Sequence, residues 1–317
     1  MKKYLLFSRF SKISLQYQYT FIAFLLPFFM QAQTLSDGIY MPKNNFCGGV
    51  MVAQDQLDSY WEGTTKRQNA NMGTMTMKSV GVMANYGISD KLNIIASLPY
   101  VHTQASAGTM SGMSGIQDLT VGLKYKVLKV SDLYANIIVG GSIPTSDYVA
   151  AYPFAIGNQS KTLFGRAMMH YLNANGLTAT AQGTYTLRSN ITIDATNYYT
   201  DKNIFSSEVA MSDVANVSFR AGYYSHRIEA EAYIEHNAAL GGFDIRRNDM
   251  MFPSNKMIAT RVGITAFYRI KPLHDLQVVA NYAYTLNGRN VGQATSVALG
   301  LMMAFDFNKT GKTDIKY

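Results

Sequence analysis

Cysteine and tryptophan are almost absent from this chain of 317 residues, which contains one of each. A single cysteine, Cys47, excludes an intramolecular disulfide and a multi-cysteine metal site. Cys47 also lies well beyond the first apolar run, so it does not fit a lipoprotein anchor. We interpret it as a structurally ordinary residue of an N-terminal segment.

Charged residues are sparse, at 15% of the chain, where about a quarter is usual for soluble domains. After residue 32 no apolar run is long enough to span a bilayer as a helix. Few charges without helical spans predict strands that cross a membrane. The net charge of +8 falls by four without Lys2, Lys3, Arg9 and Lys12, and no basic run with interleaved aromatics indicates nucleic-acid binding.

Motifs for catalysis and metal binding are missing. The sequence contains neither Gly-X-Ser-X-Gly nor His-Glu-x-x-His, so no nucleophile or metal site has its expected spacing. The one candidate for acid-base chemistry is His236 beside Glu235, near an outer strand end. We therefore expect no enzyme, no cofactor and no metal. The five histidines are His102, His170, His226, His236 and His274.

The N-terminus predicts export. A basic stretch leads to the apolar run from Phe21 to Met30, and Ala32 is a suitable residue before a cleavage site. Ten apolar residues are too few for a membrane anchor. We therefore assign residues 1–32 to a signal peptide and residues 33–48 to a segment in the periplasm or the lumen. Residues 49–307 form the barrel, and residues 308–317 form a periplasmic tail.

The barrel prediction rests on the stretch from Val217 to Glu235, in which apolar and polar residues alternate on both sides of Ser225-His226. Period two is typical of β-strands with one apolar face. A two-residue turn predicts that Arg220 lies opposite Glu231. A polar face with full charges does not suit a sandwich core, whereas a transmembrane β-barrel places such a face inside and lipid outside.

The remaining chain repeats this pattern and predicts an all-β, antiparallel up-and-down barrel of about twelve strands. Short turns and long links alternate strictly, which is typical of outer-membrane barrels with tight periplasmic turns and large external loops. Pro99 predicts an edge or a bulge in the third strand, and we assign Ile191 to Tyr199 to a loop. The predicted strands cover about 49–61, 73–88, 91–104, 115–128, 132–144, 161–174, 176–188, 209–224, 226–238, 256–271, 274–287 and 294–307.

The inward face of the predicted strands carries charges that either cross-link a filled wall or line a narrow polar conduit, and both can hold at once. A buried charge is costly without a partner, so Arg220 and Glu231 should form an ion pair in either case. The candidate lumen charges are Arg166, Arg220, Glu229, Glu231, Arg261 and Arg269.

Apolar residues on the same inward face indicate either a filled core or a path that tolerates apolar solutes. Ile95, Val101, Ile138, Phe267 and Val279 belong to this set, together with Met77 and Met83. Methionines cluster near the outer loops, between Met72 and Met113. We favour flexible loop packing for them over an apolar entry patch for solutes.

Short motifs in the first half of the chain resemble the "MetA-pathway of phenol degradation" family of outer-membrane proteins. The strand-turn-strand motif is matched by Tyr86–Leu92 and Leu98–Tyr100. A Gly-x-Gly-Asp-Leu strand opening is matched by Gly115–Leu119, followed by Gly122–Tyr125. The Leu-Pro-Thr-Gly strand end is matched by Ile143–Ser146.

The resemblance implies a barrel related to long-chain fatty-acid transporters, which are proposed to pass hydrophobic or aromatic compounds. No substrate residue is carried over, because the shared motifs are turns and strand ends. Gln117 and Ser146 replace family glycines, and residues 33–48 are short for the N-terminal hatch of the fatty-acid transporters.

The sequence therefore predicts an outer-membrane channel for passive uptake of small, hydrophobic or aromatic solutes. The alternatives are a closed barrel with a structural or surface-recognition role through its loops and, third, an outer-membrane hydrolase. The expected partners are membrane lipid, lipopolysaccharide and a small-molecule solute.

Overall fold

The computed structural model describes residues 35–247, 249–270 and 276–307. The predicted signal peptide, the C-terminal tail, the turn at Pro272-Leu273 and His274 lie outside these residues. In the described part of the chain, no helix is both long enough and apolar enough to cross a membrane.

Twelve antiparallel strands form one closed sheet, because β1 pairs with β12 on one side and with β2 on the other. The predicted fold class is confirmed. β4 consists of two pieces, Ser114–Ile116 and Asp118–Val130, which both pair with β3. The strands are β1 Asn45–Leu57, β2 Met75–Ser89, β3 Leu92–Ala105, β4 Ser114–Val130, β5 Leu133–Pro144, β6 Thr162–Leu172, β7 Leu177–Arg188, β8 Val214–Tyr224, β9 Ile228–Ala239, β10 Ile258–Ile270, β11 Leu276–Arg289 and β12 Thr295–Asp306.

The outer wall carries exposed apolar side chains around the whole barrel. In β8, Val217 is 59% exposed, whereas its neighbour Ser218 on the inner face is 6% exposed. The same alternation places Val80, Leu123 and Leu299 outside. A continuous band of exposed apolar side chains around a closed barrel is typical of a wall covered by lipid, so the wall faces a membrane.

In the hairpin of β8 and β9, every side chain lies on the predicted face of the sheet, but the strands pair in a different register. Tyr224 pairs with Glu229, Gly222 with Glu231 and Arg220 with Tyr233. The predicted two-residue turn at Ser225-His226 is wrong, because a wider turn is closed by a hydrogen bond from Ser225 N to Ile228 O. The register moves by two residues, and an even shift keeps every side chain on its face.

The first strand begins earlier than predicted, at Asn45 rather than residue 49. Cys47 therefore belongs to β1 and not to an N-terminal segment. It is 2% exposed and packs against Val279, Met302 and Ala304 on the inner face. Residues 58–61, predicted as the end of this strand, instead enter a small hairpin in the first loop.

Pro99 lies opposite a bulge, as one of the two sequence interpretations expected. β3 pairs with β4 at Tyr100–Ile116 and at Ser97–Thr120, so β4 contains one more residue between these pairs. Gln117 N donates to Pro99 O across the irregularity. A strand can accept proline at such a position, because the missing N–H donor has no partner in the ladder.

The long loops gather at one end of the barrel and pack on one another. Residues 189–213 contain two short strand pairs, Ile191–Thr192 with Glu208–Val209 and Tyr198–Tyr199 with Asn203–Ile204. As predicted, this region adds no transmembrane strand. Its buried side chains form a cluster consisting of Ala150, Ile191, Ile193, Val209 and Met211.

Candidate functional site: the barrel lumen

All six charged residues that we predicted for the lumen lie on the inner face of one half of the wall. Glu229, Glu231 and Arg269 are buried, and the other three are partly covered. β6 contributes Arg166, β8 contributes Arg220, β9 contributes Glu229 and Glu231, and β10 contributes Arg261 and Arg269.

The structure brings Arg220 and Glu231 together although they are not register partners. Arg220 Nη1 lies 3.9 Å from Glu231 Oε2. The Arg220 guanidinium also stacks over the ring of Tyr233, at 4.6 Å from the ring centroid. The expected ion pair is therefore present as a diagonal contact, and long side chains reach this far across two strands.

Arg261 connects three strands at the outer part of the lumen. Its Nη2 donates to Ser296 Oγ at 2.6 Å and lies 4.0 Å from Asp55 Oδ1. The Ser296 hydroxyl also donates to Asp55. These contacts explain the carboxylate on the inner face of β1, because Asp55 is the counter-ion of Arg261.

A short segment before β1 enters the lumen from the end of the short turns; we call residues 35–44 the N-terminal segment. Lys124 Nζ donates to Asp37 O at 2.6 Å and to Ile39 O at 2.8 Å, and it lies 3.1 Å from Asp37 Oδ1. Lys124 is completely buried. A buried lysine in this position needs these acceptors, so it holds the segment in place.

Further contacts hold the N-terminal segment against the same wall. Arg166 Nη1 donates to Leu35 O at 2.6 Å, and Tyr40 Oη donates to Asn136 Oδ1 at 3.0 Å. The ring of Tyr40 lies between two lysines, with Lys124 Nζ at 4.9 Å and Lys126 Nζ at 4.5 Å from its centroid. Backbone and side chains of the segment thus both contact the wall.

The segment crosses to the opposite wall at Met41, which is fully buried. Met41 packs in a cluster with Cys47, Val279, Met302 and Ala304, which Met51, Met83 and Phe267 extend. These residues belong to β1, β2, β10, β11 and β12, on the far side of the lumen from Lys124. The N-terminal segment therefore spans the lumen between two walls.

The outer part of the lumen is occupied by the loop between β5 and β6; we call residues 145–161 the inner loop. Phe154 and Ile156 are each 1% exposed. Thr103 Oγ1 donates to Phe154 O at 2.6 Å, and Gln117 Nε2 donates to Ile156 O at 2.6 Å. These bonds fix the loop against β3 and β4.

Tyr148 completes this apolar region. It packs with Val101 and Ile156, and the methionines Met77 and Met113 extend the cluster. Its hydroxyl donates to Asp118 Oδ1 at 3.0 Å. Burial raises the pKa of Tyr148 above its ordinary value, so the hydroxyl remains a donor. Met77 and Met113 thus pack against an ordered loop.

His236 does not form an acid-base pair with Glu235. The two are adjacent in β9, so their side chains point to opposite faces, with Glu235 inside and His236 outside. His236 Nδ1 contacts Thr260 Oγ1 at 2.9 Å on the outer wall. Among the residues described, no three His, Cys, Asp or Glu side chains are grouped to hold a metal ion.

The lumen residues missed from the sequence are Asp37, Tyr40, Met41, Phe154 and Ile156. None of them belongs to a period-two strand, so no face could be assigned. The sequence signal for a lumen position was the charge of Asp37 and the aromatic ring of Tyr40. Both lie in residues 33–48, which the sequence assigned to either the periplasm or the lumen.

Residues 67–299 match the model of a family described as "Putative MetA-pathway of phenol degradation". No curated protein matches the chain. The fold is similar to the crystal structure of the COG4313 outer membrane channel from Pseudomonas putida F1. That likeness has a TM-score of 0.67 and 15% identity, over 86% of this chain and 100% of that one.

Two further solved barrels are similar at lower scores. The translocator domain of the autotransporter NalP from Neisseria meningitidis has a TM-score of 0.48 and 13% identity, over 85% of this chain and 90% of that one. The CymD monoaromatic hydrocarbon channel has a TM-score of 0.42 and 12% identity, over 84% and 89% of the two chains.

Proposed function

The chain belongs to the MetA-pathway of phenol degradation family of outer-membrane barrels, and from that premise we propose that it is a channel for passive uptake of small hydrophobic or aromatic solutes. One observation carries this proposal. The outer lumen is filled by the buried apolar side chains of Val101, Tyr148, Phe154 and Ile156, whereas the wall below carries hydrogen-bonded charges. A water-filled pore for ions or sugars has no use for a buried aromatic cluster at its outer end.

The two halves of the path suit a solute with an apolar ring and one polar group. Its ring would replace contacts with Tyr148 and Phe154, and its polar group would bond to Arg261 in the outer lumen or to Arg166 farther in. The solute would then pass the N-terminal segment after the polar contacts of the segment with Lys124 and Arg166 open. A protein with these parts needs neither cofactor nor metal, and we propose no catalytic role.

We also propose how the protein reaches the outer membrane and which lipids surround the barrel. Residues 1–32 would direct export and be removed, and residues 308–317 would lie in the periplasm. Membrane lipid would surround the exposed band of Val80, Leu123, Val217 and Leu299. Lipopolysaccharide would cover its outer end, because it forms the outer leaflet at the level of the long loops.

Liposome swelling with purified protein tests the channel proposal. Relative to protein-free liposomes, the protein should raise the entry rates of phenol and toluene by a larger factor than the entry rate of a disaccharide, and planar bilayers should show small conductance steps. Flux ratios equal to those of protein-free liposomes for every solute would overturn the proposal.

A second function, recognition at the cell surface by a closed barrel, is favoured by a different observation. The loops form an ordered surface, with Arg289 Nη2 2.5 Å from Asp244 Oδ2, and Phe205 is 84% exposed at a loop tip. A barrel that is silent in both assays, even after residues 33–41 are deleted, would favour this second function.

A further inference from the structure

One lysine, Lys78, faces the membrane from the interior of a strand. Its neighbours on the same face of β2 are Val80 and Val82, which are 49% and 53% exposed. On the outward faces of the twelve barrel strands, within the residues that the structure describes, the other full charge is Arg289, at the last residue of β11, where Asp244 binds it. A charge toward lipid is destabilising unless it lies near the interface or has a counter-ion.

Lys78 lies in a row of polar side chains that crosses four strands. It pairs in register with Gln54 of β1 on one side and with His102 of β3 on the other. His102 Nδ1 contacts Ser114 Oγ of β4 at 2.6 Å. Register partners have Cβ atoms about 4.5–5.5 Å apart, so these side chains form one continuous patch.

The patch lies at the outer edge of the apolar band. Tyr86, Phe46 and Tyr125 mark the opposite edge, near the short turns, as an aromatic girdle does. Lys78 lies eight residues from Tyr86 along β2 (86 − 78). At about 3.3 Å per residue and a tilt of about 40°, this is roughly 20 Å along the membrane normal, close to the ~25 Å height of the band.

The chemistry of the patch suits an anion. Nζ of Lys78, the amide of Gln54, the hydroxyl of Ser114 and the imidazole of His102 can all donate, and no acidic side chain of the described residues forms an ion pair with Lys78. Lysine is a common phosphate ligand, acting as a point charge. Below the patch, Val80 and Tyr100 expose apolar surface to acyl chains.

We propose that Gln54, Lys78, His102 and Ser114 form a binding site for the phosphate of an outer-leaflet lipid headgroup, of the lipid A class. The inference rests on the outer-membrane placement in the proposed function and adds a site to it. The lipid would occupy the outer wall of β1–β4, with its phosphate between Lys78 and His102 and its chains along Val80 and Tyr100.

Lipid binding to the detergent-solubilised barrel tests this site. Native mass spectrometry with bisphosphorylated lipid A should show bound lipid, and dephosphorylated lipid A should bind at least about tenfold more weakly. The K78Q/H102Q variant should lose the same tenfold. The matched control is K161Q, which removes one exposed charge at the same end of the barrel, outside the patch, and should bind like the wild type.

Three results would overturn the site. They are equal binding by the wild type and K78Q/H102Q, equal binding of both forms of lipid A, and displacement of the lipid by millimolar inorganic phosphate, which would indicate a free-anion site. Far-UV circular dichroism confirms that each variant is a folded barrel, and K78R should retain binding. A barrel that passes no solute but binds the lipid would overturn the channel proposal alone.

Discussion

Lys124 and Asp37 form a buried contact between the barrel wall and the N-terminal segment, with Nζ 3.1 Å from Oδ1 and 2.6 Å from the Asp37 carbonyl oxygen. The two residues are 87 positions apart in sequence. Because Lys124 also donates to Ile39 O, one side chain fixes the centre of the segment.

Replacing Lys124 with methionine should release the N-terminal segment. Removing one member of a buried ion pair costs about 3–5 kcal/mol, so the docked state should lose most of its population. Single-channel conductance should rise, and a protease added on the periplasmic side should cut near residue 37. Lys129→Met is the control, because Lys129 contacts Tyr134 rather than the segment. Unchanged conductance and protection in Lys124→Met would contradict the prediction.

Gly38 should not tolerate a side chain. A Cβ atom at this position would lie 1.9 Å from Cγ of the buried His170 ring, so Gly38→Ala should loosen the segment and raise conductance. Combining Gly38→Ala with His170→Ala makes room for the methyl group and should restore low conductance. Gly183→Ala serves as control, because nothing lies within 4 Å of its Cβ position. If the double variant conducts no less than Gly38→Ala, the steric explanation fails.

Arg220 and Glu231 should be energetically coupled. In a double-mutant cycle of unfolding in detergent, Arg220→Ala should destabilise the wild type more than it destabilises Glu231→Ala, by about 1–3 kcal/mol. The exposed pair Arg246–Asp249, with Nε 2.6 Å from Oδ2, gives the comparison and should couple by less than about 1 kcal/mol. If the two substitutions lower the free energy of unfolding additively, the ion pair between Arg220 and Glu231 does not stabilise the wall.

The loop network around Asp244 should weaken in acid. Hydrogen bonds from Arg289 lower the pKa of Asp244. A carboxyl with a lowered pKa stabilises the fold fully above its unfolded value of about 3.9 and loses this contribution as the pH falls through the folded value. The transition is therefore expected below about pH 4.

Trp61 is a natural reporter for this transition, because it is 5% exposed and its backbone N–H donates to Val291 O, next to Asn290. Asn290 Nδ2 in turn donates to Asp244 Oδ1 at 2.7 Å. Tryptophan emission should shift to the red below pH 4 in the wild type and in Asp249→Asn. Asp244→Asn should show red-shifted emission at neutral pH and little further change in acid. A wild-type transition that persists in Asp244→Asn would assign it to another group.

Alternation along the chain determined the barrel. Polar residues such as Arg220 and apolar residues such as Val217 had to lie on opposite faces, and lipid is the one solvent that suits so many exposed apolar side chains. The strand number and the inward direction of the six charges followed from this pattern together with the turn residues, whereas the choice between an edge and a bulge at Pro99 did not.

Tertiary structure decided the register of the central hairpin and the contents of the lumen. A register shift of two residues leaves every side chain on the same face of the sheet. The alternation of polar and apolar residues therefore cannot distinguish a register with Arg220 opposite Glu231 from the observed one with Arg220 opposite Tyr233. The place of Asp37 and Phe154 depends on partners far away in sequence, Lys124 and Thr103, which become neighbours only when the barrel closes.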